Sequence, residues 1–547
     1  MFSMPTTEIA KWKRISLAIA LIVVVRGVFV LCVLPPFEGW DEFSHIAYVV
    51  YLRETAELPR AESSKTPASM APMLKRYPHP WGSWVQTGPN GWGTREYKTF
   101  WEPQTQAEAA QLKPVPLYEA AQPPFYYLVA LPCWLIFSRL GDLSGIYALR
   151  VLNVLFLGGA VFIFLQALRW CIPGLEHRIA IGLLIGFCPL FVTTAARISN
   201  DALAIFFTSL TFYFLIRALT VDPRRARWFA FASVFLGLGI ATKANVMAMI
   251  PPVAASICWL TYRKELQPAQ ALKLAATCAL IVIAALAPLY IYYAVKMHEL
   301  YRPTKILTSH SQDKATLWMW GHFFHVGWST HLREWLFTRE LWNSGWSALT
   351  APTWLTFPYR IFLYAFWLVV VASGLWRGWR RQPPKDHPEY LFGNRKFVIL
   401  FGVSVLSMLG ALAYFATMVL ANWGYVFVTP SYFMIVFPAW TCLVYQAALL
   451  VRRSFALWSA GILLALYVVA EVAGTLWIMP SAFSASTSLP TMWSRTISFH
   501  PMFPNPWFIV PCLAVIVGLT IYVLLCARNG VGSNPFQPVD IIPDRGD

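Results

Sequence analysis

Twelve stretches of this chain are apolar for long enough to suggest membrane spans: 15–34, 145–168, 179–196, 202–219, 228–241, 246–261, 274–295, 359–376, 397–420, 429–451, 454–479 and 506–527. A helix needs about 20 such residues to cross the hydrocarbon core. The pattern predicts an all-α polytopic membrane protein. Composition agrees: only 13% of residues are charged, against about 25% in soluble domains. A water-soluble enzyme and a disordered chain are both excluded. The nine cysteines form no CxxC pair, so neither a zinc ribbon nor a disulfide framework is expected. Lys11-Trp12-Lys13-Arg14 before the first run reads as the flank of an uncleaved span.

One further run, 123–138, is ambiguous, because it is short and contains Pro132. Its placement decides the orientation of everything after it. With 123–138 outside the bilayer and the N-terminus inside, the cytoplasmic segments hold 21 Lys and Arg and the short outer loops hold three: Arg197, Lys243 and Arg495. Positive residues belong inside. The segment is therefore expected to be an amphipathic helix on the outer surface, with both termini cytoplasmic. The net charge of +17 becomes mostly a topology signal: +12 of it lies on the cytoplasmic segments. No basic cluster sits in a soluble domain, so no nucleic-acid partner is expected. Spans 228–241 and 246–261 are short, and their connection around Lys243 is expected to dip into the bilayer.

Four stretches carry polar residues beside the outer face. The first is PPFEGWDEFSH, residues 35–45. The proline pair stops the first span, leaving Asp41 and Glu42 adjacent and His45 four residues on, one face of a new helix. A carboxylate there can take a proton from a nucleophile or hold a metal; equally, Asp41 can cap the helix and Glu42 complement its dipole. The second, YEAAQPPFYYL, holds Glu119, Gln122 and Tyr126, and also suits an interfacial anchor. The third, ARISNDAL, holds Arg197, Asn200 and Asp201; the Arg suits a phosphate oxygen, and the Asn-Asp pair also suits a helix start. The fourth, GLGIATKANVMAMIPP, places Lys243 at the tip of a hairpin, against a lipid phosphate or snorkelling to the interface. The outer loop 296–358 is rich in Trp and His, without the Cys or carboxylate spacing of a zinc site. Of the charges within spans, Arg26, Arg150, Arg217 and Arg360 are expected to snorkel from helix ends, and Glu471 to pair with one of them.

These four motifs in this order resemble the GT-C membrane glycosyltransferases, which include protein O-mannosyltransferases and the lipid A aminoarabinose transferase. The resemblance covers roughly residues 10–260. It implies a bundle of about twelve spans with helices on the outer face after the first. Residues 1–295, including the loop 35–144, form the catalytic module, followed by the loop 296–358, the C-terminal spans over 359–527 and a disordered cytoplasmic tail over 528–547. It implies inverting sugar transfer from a polyprenyl-phosphate donor to a cell-envelope glycan, lipid or protein, at the outer face of a bacterial inner membrane. By the same resemblance Asp41, with Glu42 beside it, is the catalytic base. The donor phosphate falls to Arg197, Lys243, Lys75 and Arg76. His45, Glu119, Gln122, Tyr126, Asn200 and Asp201 contact substrate. No obligatory cofactor is implied, and a divalent cation (Mg, Mn or Ca) is left open. The sequence departs from the family at Ser44, where many relatives are basic, and around Pro430–Tyr432, where an Arg is expected. Twelve spans also suit a transporter or glycolipid flippase, although matched halves are not seen. A polysaccharide polymerase or ligase using a lipid diphosphate is the other alternative.

Overall fold

The computed structural model describes residues 6–39, 41–60, 63–70, 72–73, 85–86, 113–114, 116–220, 224–297, 321–328, 351–380, 395–423, 430–498 and 508–528. Helices dominate. Two-residue strands β1 (Val85–Gln86) and β2 (Lys113–Pro114) pair antiparallel in the loop after the first span. Among the described residues, nine helices are long and apolar enough to cross a membrane, and one bent pair makes a tenth. The protein is a multi-pass membrane protein. The two remaining expected spans are helices too, but short of that measure. Arg225–Thr242 begins with two arginines, and Phe437–Val451 starts only after the turn Pro430–Ile435.

The first span, α1 (Thr6–Leu31), ends before the proline pair and leads into α2 (Glu42–Thr55). A short helix α3 (Phe125–Phe137) precedes the long α4 (Asp142–Leu168). Arg150, near the start of α4, donates to the carbonyls of Leu34 and Pro35 just beyond α1. The end of α1 and the start of α4 therefore lie at the same pole. This is the arrangement the charge distribution predicts. The expected amphipathic character of α3 is not found. Tyr126, Tyr127, Ala130 and Trp134 are buried, while Leu128, Leu135, Ile136 and Phe137 are exposed. Both faces are apolar, so the helix suits the hydrocarbon boundary better than a water-facing surface.

α1 crosses α4 closely. Gly27 lies against Val154, where a Cβ would come within 2.7 Å of a valine methyl, and Gly158 lies against Val24. Small residues at such crossings let backbones approach and gain dispersion contacts that lipid would otherwise provide. Next come α5 (Leu175–Phe187) and α6 (Pro189–Ala195), bent by 52° where Pro189 interrupts the ladder. The carbonyls of Gly186 and Phe187 beside the bend accept from Arg26 of α1. Arg26 also forms an ion pair with Glu471 of α14 (Arg453–Ala473). The expected partner of Glu471 is thus Arg26, and this arginine is buried rather than snorkelling.

The bundle continues through α7 (Asp201–Leu219), α8 (Arg225–Thr242), α9 (Ile250–Tyr262) and α10 (Pro268–Lys296). Between α8 and α9 the backbone extends at Lys243 and then forms a 3-10 turn over Ala244–Met249, which places Pro251 and Pro252 in the first turn of α9. Thr242, Val246 and Met249 are buried, so the irregular backbone is enclosed by protein. The later helices are α11 (Thr353–Arg380), α12 (Arg395–Trp423), α13 (Phe437–Val451), α14, α15 (Met479–Ser484), α16 (Leu489–Ser498) and α17 (Ile509–Arg528). α17 returns to pack on α1, and α12 packs on α9.

Breaking a buried pair leaves an uncompensated charge. Either Arg26→Met or Glu471→Leu alone is expected to destabilise the protein by about 3–5 kcal/mol. Thermal unfolding in detergent checks this, with the double replacement recovering most of the loss.

Candidate active site

Four loop segments converge at the pole where α1 ends. Two of them, together with α4, meet at the carboxylate of Glu42. Arg150 donates to it twice, Nε to Oε1 at 2.8 Å and Nη2 to Oε2 at 2.6 Å. The backbone N–H of Ile198 donates to Oε1 at 3.0 Å, and that of Gly39 to Oε2 at 3.4 Å. Both side chains of the ion pair are fully buried. Arg150 is therefore not a snorkelling residue, and Glu42 does not merely complement a helix dipole. Its oxygens are filled by four donors from three segments of chain.

Asp41 sits one residue away in a different environment. It holds a left-handed backbone (φ 56°) at the start of α2 and makes no side-chain capping bond. The cap expected as one reading of the sequence is not formed. Asp41 keeps partial exposure, and burial pushes its carboxyl up to about 6. Arg197 and Lys243 pull in the opposite direction, and Asp201 adds to the rise. Gly39 allows this arrangement, because a Cβ there would lie 2.5 Å from the Cβ of Arg197.

Asp201 heads α7 and bridges two cations. Its Oδ1 accepts from Lys243 Nζ at 2.5 Å, and its Oδ2 faces Arg197 Nη2 at 3.7 Å. The Lys243 ammonium also lies 4.9 Å from the centre of the Tyr432 ring. All three charged side chains are buried, so Lys243 does not snorkel to the interface. Asn200 donates to the Thr242 carbonyl at 3.2 Å and to Gln122 Oε1 at 3.4 Å, joining the loops that carry Lys243 and Gln122. From α4, Asn153 donates to the carbonyls of Arg197 and Ser199 and fixes this loop from beneath.

His45 is buried one turn after Asp41. Its Nδ1 lies 2.9 Å from the Tyr127 hydroxyl, which donates to Glu119 Oε2 at 3.3 Å. Tyr127 also stacks on Tyr48 at 3.7 Å. Burial pushes the His45 imidazole well below its usual range, with Lys243 and Arg197 adding to the effect. Burial and then Asp41 push the Glu119 carboxyl well above its usual range. Both shifts favour the neutral forms over an ion pair across the 3.9 Å between them. Tyr126 is buried and packs edge-on against Tyr127.

Ten of the twelve candidate residues are thus placed at one pole: Asp41, Glu42, His45, Glu119, Gln122, Tyr126, Arg197, Asn200, Asp201 and Lys243. Lys75 and Arg76 lie outside the described residues, as does most of the loop 296–358. Arg150, Asn153, Tyr127 and Tyr432 join the cluster without having been among the candidates. Arg150 is a charge within an apolar run, and Asn153 is a lone polar residue one turn later; both carried a signal. Tyr432 had none beyond its place near Pro430. Among the described residues no three His, Cys, Asp or Glu side chains come together as metal ligands.

Residues 124–292 match the family model described as dolichyl-phosphate-mannose-protein mannosyltransferase. Over that stretch the chain is similar to a family of lipid-phosphate-sugar-dependent transferases. No curated protein matches the chain. Among solved structures it is similar to ArnT from Cupriavidus metallidurans bound to undecaprenyl phosphate, at 15% identity and a TM-score of 0.47, covering 95% of this chain and 73% of that one. It is also similar to the oligosaccharyltransferase AglB from Archaeoglobus fulgidus in complex with an inhibitory peptide and a dolichol-phosphate, at 12% identity and a TM-score of 0.36, covering 94% of this chain and 56% of that one.

Because Gly39 touches the stem of Arg197, Gly39→Ala forces the two loops apart. Overpacking of this kind costs roughly 1–3 kcal/mol. A lowered melting temperature in detergent is the expected result; an unchanged one would show that the loops do not meet as described.

Proposed function

We propose that this protein is a membrane glycosyltransferase of the GT-C superfamily and that it transfers a sugar from a polyprenyl-phosphate donor to a hydroxyl of a cell-envelope glycan, lipid or protein, with inversion at the anomeric carbon. The family match supports a lipid-phosphate donor, since dolichyl-phosphate-mannose is a sugar of that kind. The observation that carries the reading is Asp41: a partly exposed carboxylate, not used as a cap, facing the Arg197, Lys243 and Asp201 group.

A sugar hydroxyl is a poor nucleophile until its proton is accepted. In this reading Asp41 takes that proton as the acceptor oxygen bonds to the anomeric carbon. The bond from that carbon to the phosphate oxygen breaks on the opposite face, and its electron pair leaves with the phosphate. Arg197 and Lys243 are the cations placed to stabilise the developing charge. Glu42 is a positioning residue, because its oxygens are already filled. His45, Glu119, Gln122, Tyr126 and Asn200 offer neutral polar and aromatic contacts, which suit a sugar. A divalent cation has no step here: Asp201 is already matched by basic side chains. The positive-inside distribution supports a location of this pole outside the inner membrane, with both termini in the cytoplasm.

The test is incubation of purified protein with polyprenyl-phosphate sugars and candidate acceptors. Release of a polyprenyl monophosphate with transfer supports the reading. Release of a diphosphate favours a polymerase or ligase, and flipping without bond cleavage favours a transporter. Asp41→Asn is expected to lower transfer by roughly 10²–10⁴-fold, and full activity in that variant would remove Asp41 as the base. A base works ionised, so kcat/KM should rise with pH through a midpoint near 6. A profile flat from pH 5 to about 8 would contradict this assignment.

A further inference from the structure

Asp201 is buried at the centre of the site, yet the transfer step above does not use it. Each of its oxygens faces one cation, Lys243 on Oδ1 and Arg197 on Oδ2. A phosphate offers the same fork, with two oxygens for two cations. We propose that Asp201 is the counter-ion that releases the lipid phosphate after transfer, by competing with it for Lys243 and Arg197. The proposal rests on the glycosyltransferase reading above.

The charges at each stage explain why such a group is needed. The donor is a phosphodiester with one negative charge. Transfer breaks the bond from the anomeric carbon to the phosphate oxygen and leaves a monoester. That product carries about −1.5 to −2 at neutral pH. Two buried cations with no opposing carboxylate would therefore hold the product more tightly than the donor, and release would limit turnover. Asp201 sets a competing partner at the same two groups. Its position is fixed, because it begins α7 and its backbone N–H donates to Ser199 Oγ at 3.4 Å. Lys243 is held on the other side by the Tyr432 ring, and its loop is tied to Asn200 through the Thr242 carbonyl. The cations stay in place while their partner changes from carboxylate to phosphate. Burial makes the competition matter, since water screens these contacts little.

The experiment measures binding of a short-chain polyprenyl monophosphate to the purified full chain, with the corresponding polyprenyl alcohol and inorganic phosphate as controls. Asp201→Asn is expected to bind the monophosphate roughly tenfold to a hundredfold tighter than the wild type. Affinity for the alcohol should not change. Tightening of inorganic phosphate as well assigns the effect to the headgroup. In the Lys243→Met background the gain should largely disappear. Multiple-turnover transfer by Asp201→Asn should slow more than single-turnover transfer. A merely structural role for Asp201 predicts weaker binding instead. Equal or weaker binding by a folded Asp201→Asn overturns the counter-ion role alone. Binding by neither protein overturns that role together with the lipid-phosphate reading. Should the Asn variant not fold, Asp201→Ser is measured in its place, and Asp201→Glu, which keeps the charge, should stay near wild-type affinity.

Discussion

A single arginine holds the site together. Arg150 is fully buried near the start of a spanning helix, and its guanidinium donates to two loop carbonyls and to both oxygens of one carboxylate. Leu34 and Pro35 lie just past the end of the first span, where the chain has left the helix. Glu42 is available because the next helix begins there. The same carboxylate takes the backbone N–H of Ile198, which draws in the loop carrying Arg197 and Asp201. In lipid an unmatched guanidinium is costly. Here its bonds to Leu34, Pro35 and Glu42 each fix a segment of the site, so the burial cost is offset by organisation of the pole.

The remaining charges follow from this geometry. Asp41 cannot share the Arg150 contacts its neighbour has, and it is left half-buried with a raised carboxyl. Asp201, Lys243 and Arg197 balance one another, while His45 and Glu119 are pushed towards their neutral forms. The site thus separates a poised base, a matched cation pair and an uncharged polar wall within a few residues. A second buried pair, Arg26 with Glu471, stabilises the bent helix that delivers the Arg197 loop. Each ion pair sits where backbone hydrogen bonding is interrupted, and each arginine supplies the donors the broken helix lacks.

Much of this was legible in the sequence, for physical reasons that can be named. Long apolar runs identify helices in lipid almost unaided, and lysine and arginine counts correctly set the end of α1 and the start of α4 at one pole. The amphipathic character of 123–138 followed only from its placement outside the bilayer, and both faces of the helix are in fact apolar. Asp201 and Lys243 were each visible as costly charges, but the ion pair between them spans 42 residues and two helices, a distance no local pattern encodes. Asp41 and Glu42 could not be told apart, since their difference lies in Arg150, which is more than 100 residues away. Asn153 was detectable as an isolated amide in an apolar helix. Tyr432 was not, because an aromatic residue near a membrane interface is ordinary.

The division of labour between the two adjacent carboxylates is the central claim. Melting temperatures of Glu42→Gln and Asp41→Asn at neutral pH, measured side by side in detergent, test it most directly. A raised carboxyl is disfavoured when ionised in the folded state, so its contribution to stability falls as pH rises towards 6. Asp41→Asn should therefore melt at or above the wild-type temperature. Glu42→Gln leaves Arg150 buried without its counter-charge and should melt well below it. A Glu42→Gln protein as stable as the wild type, beside an unstable Asp41→Asn, would contradict the account.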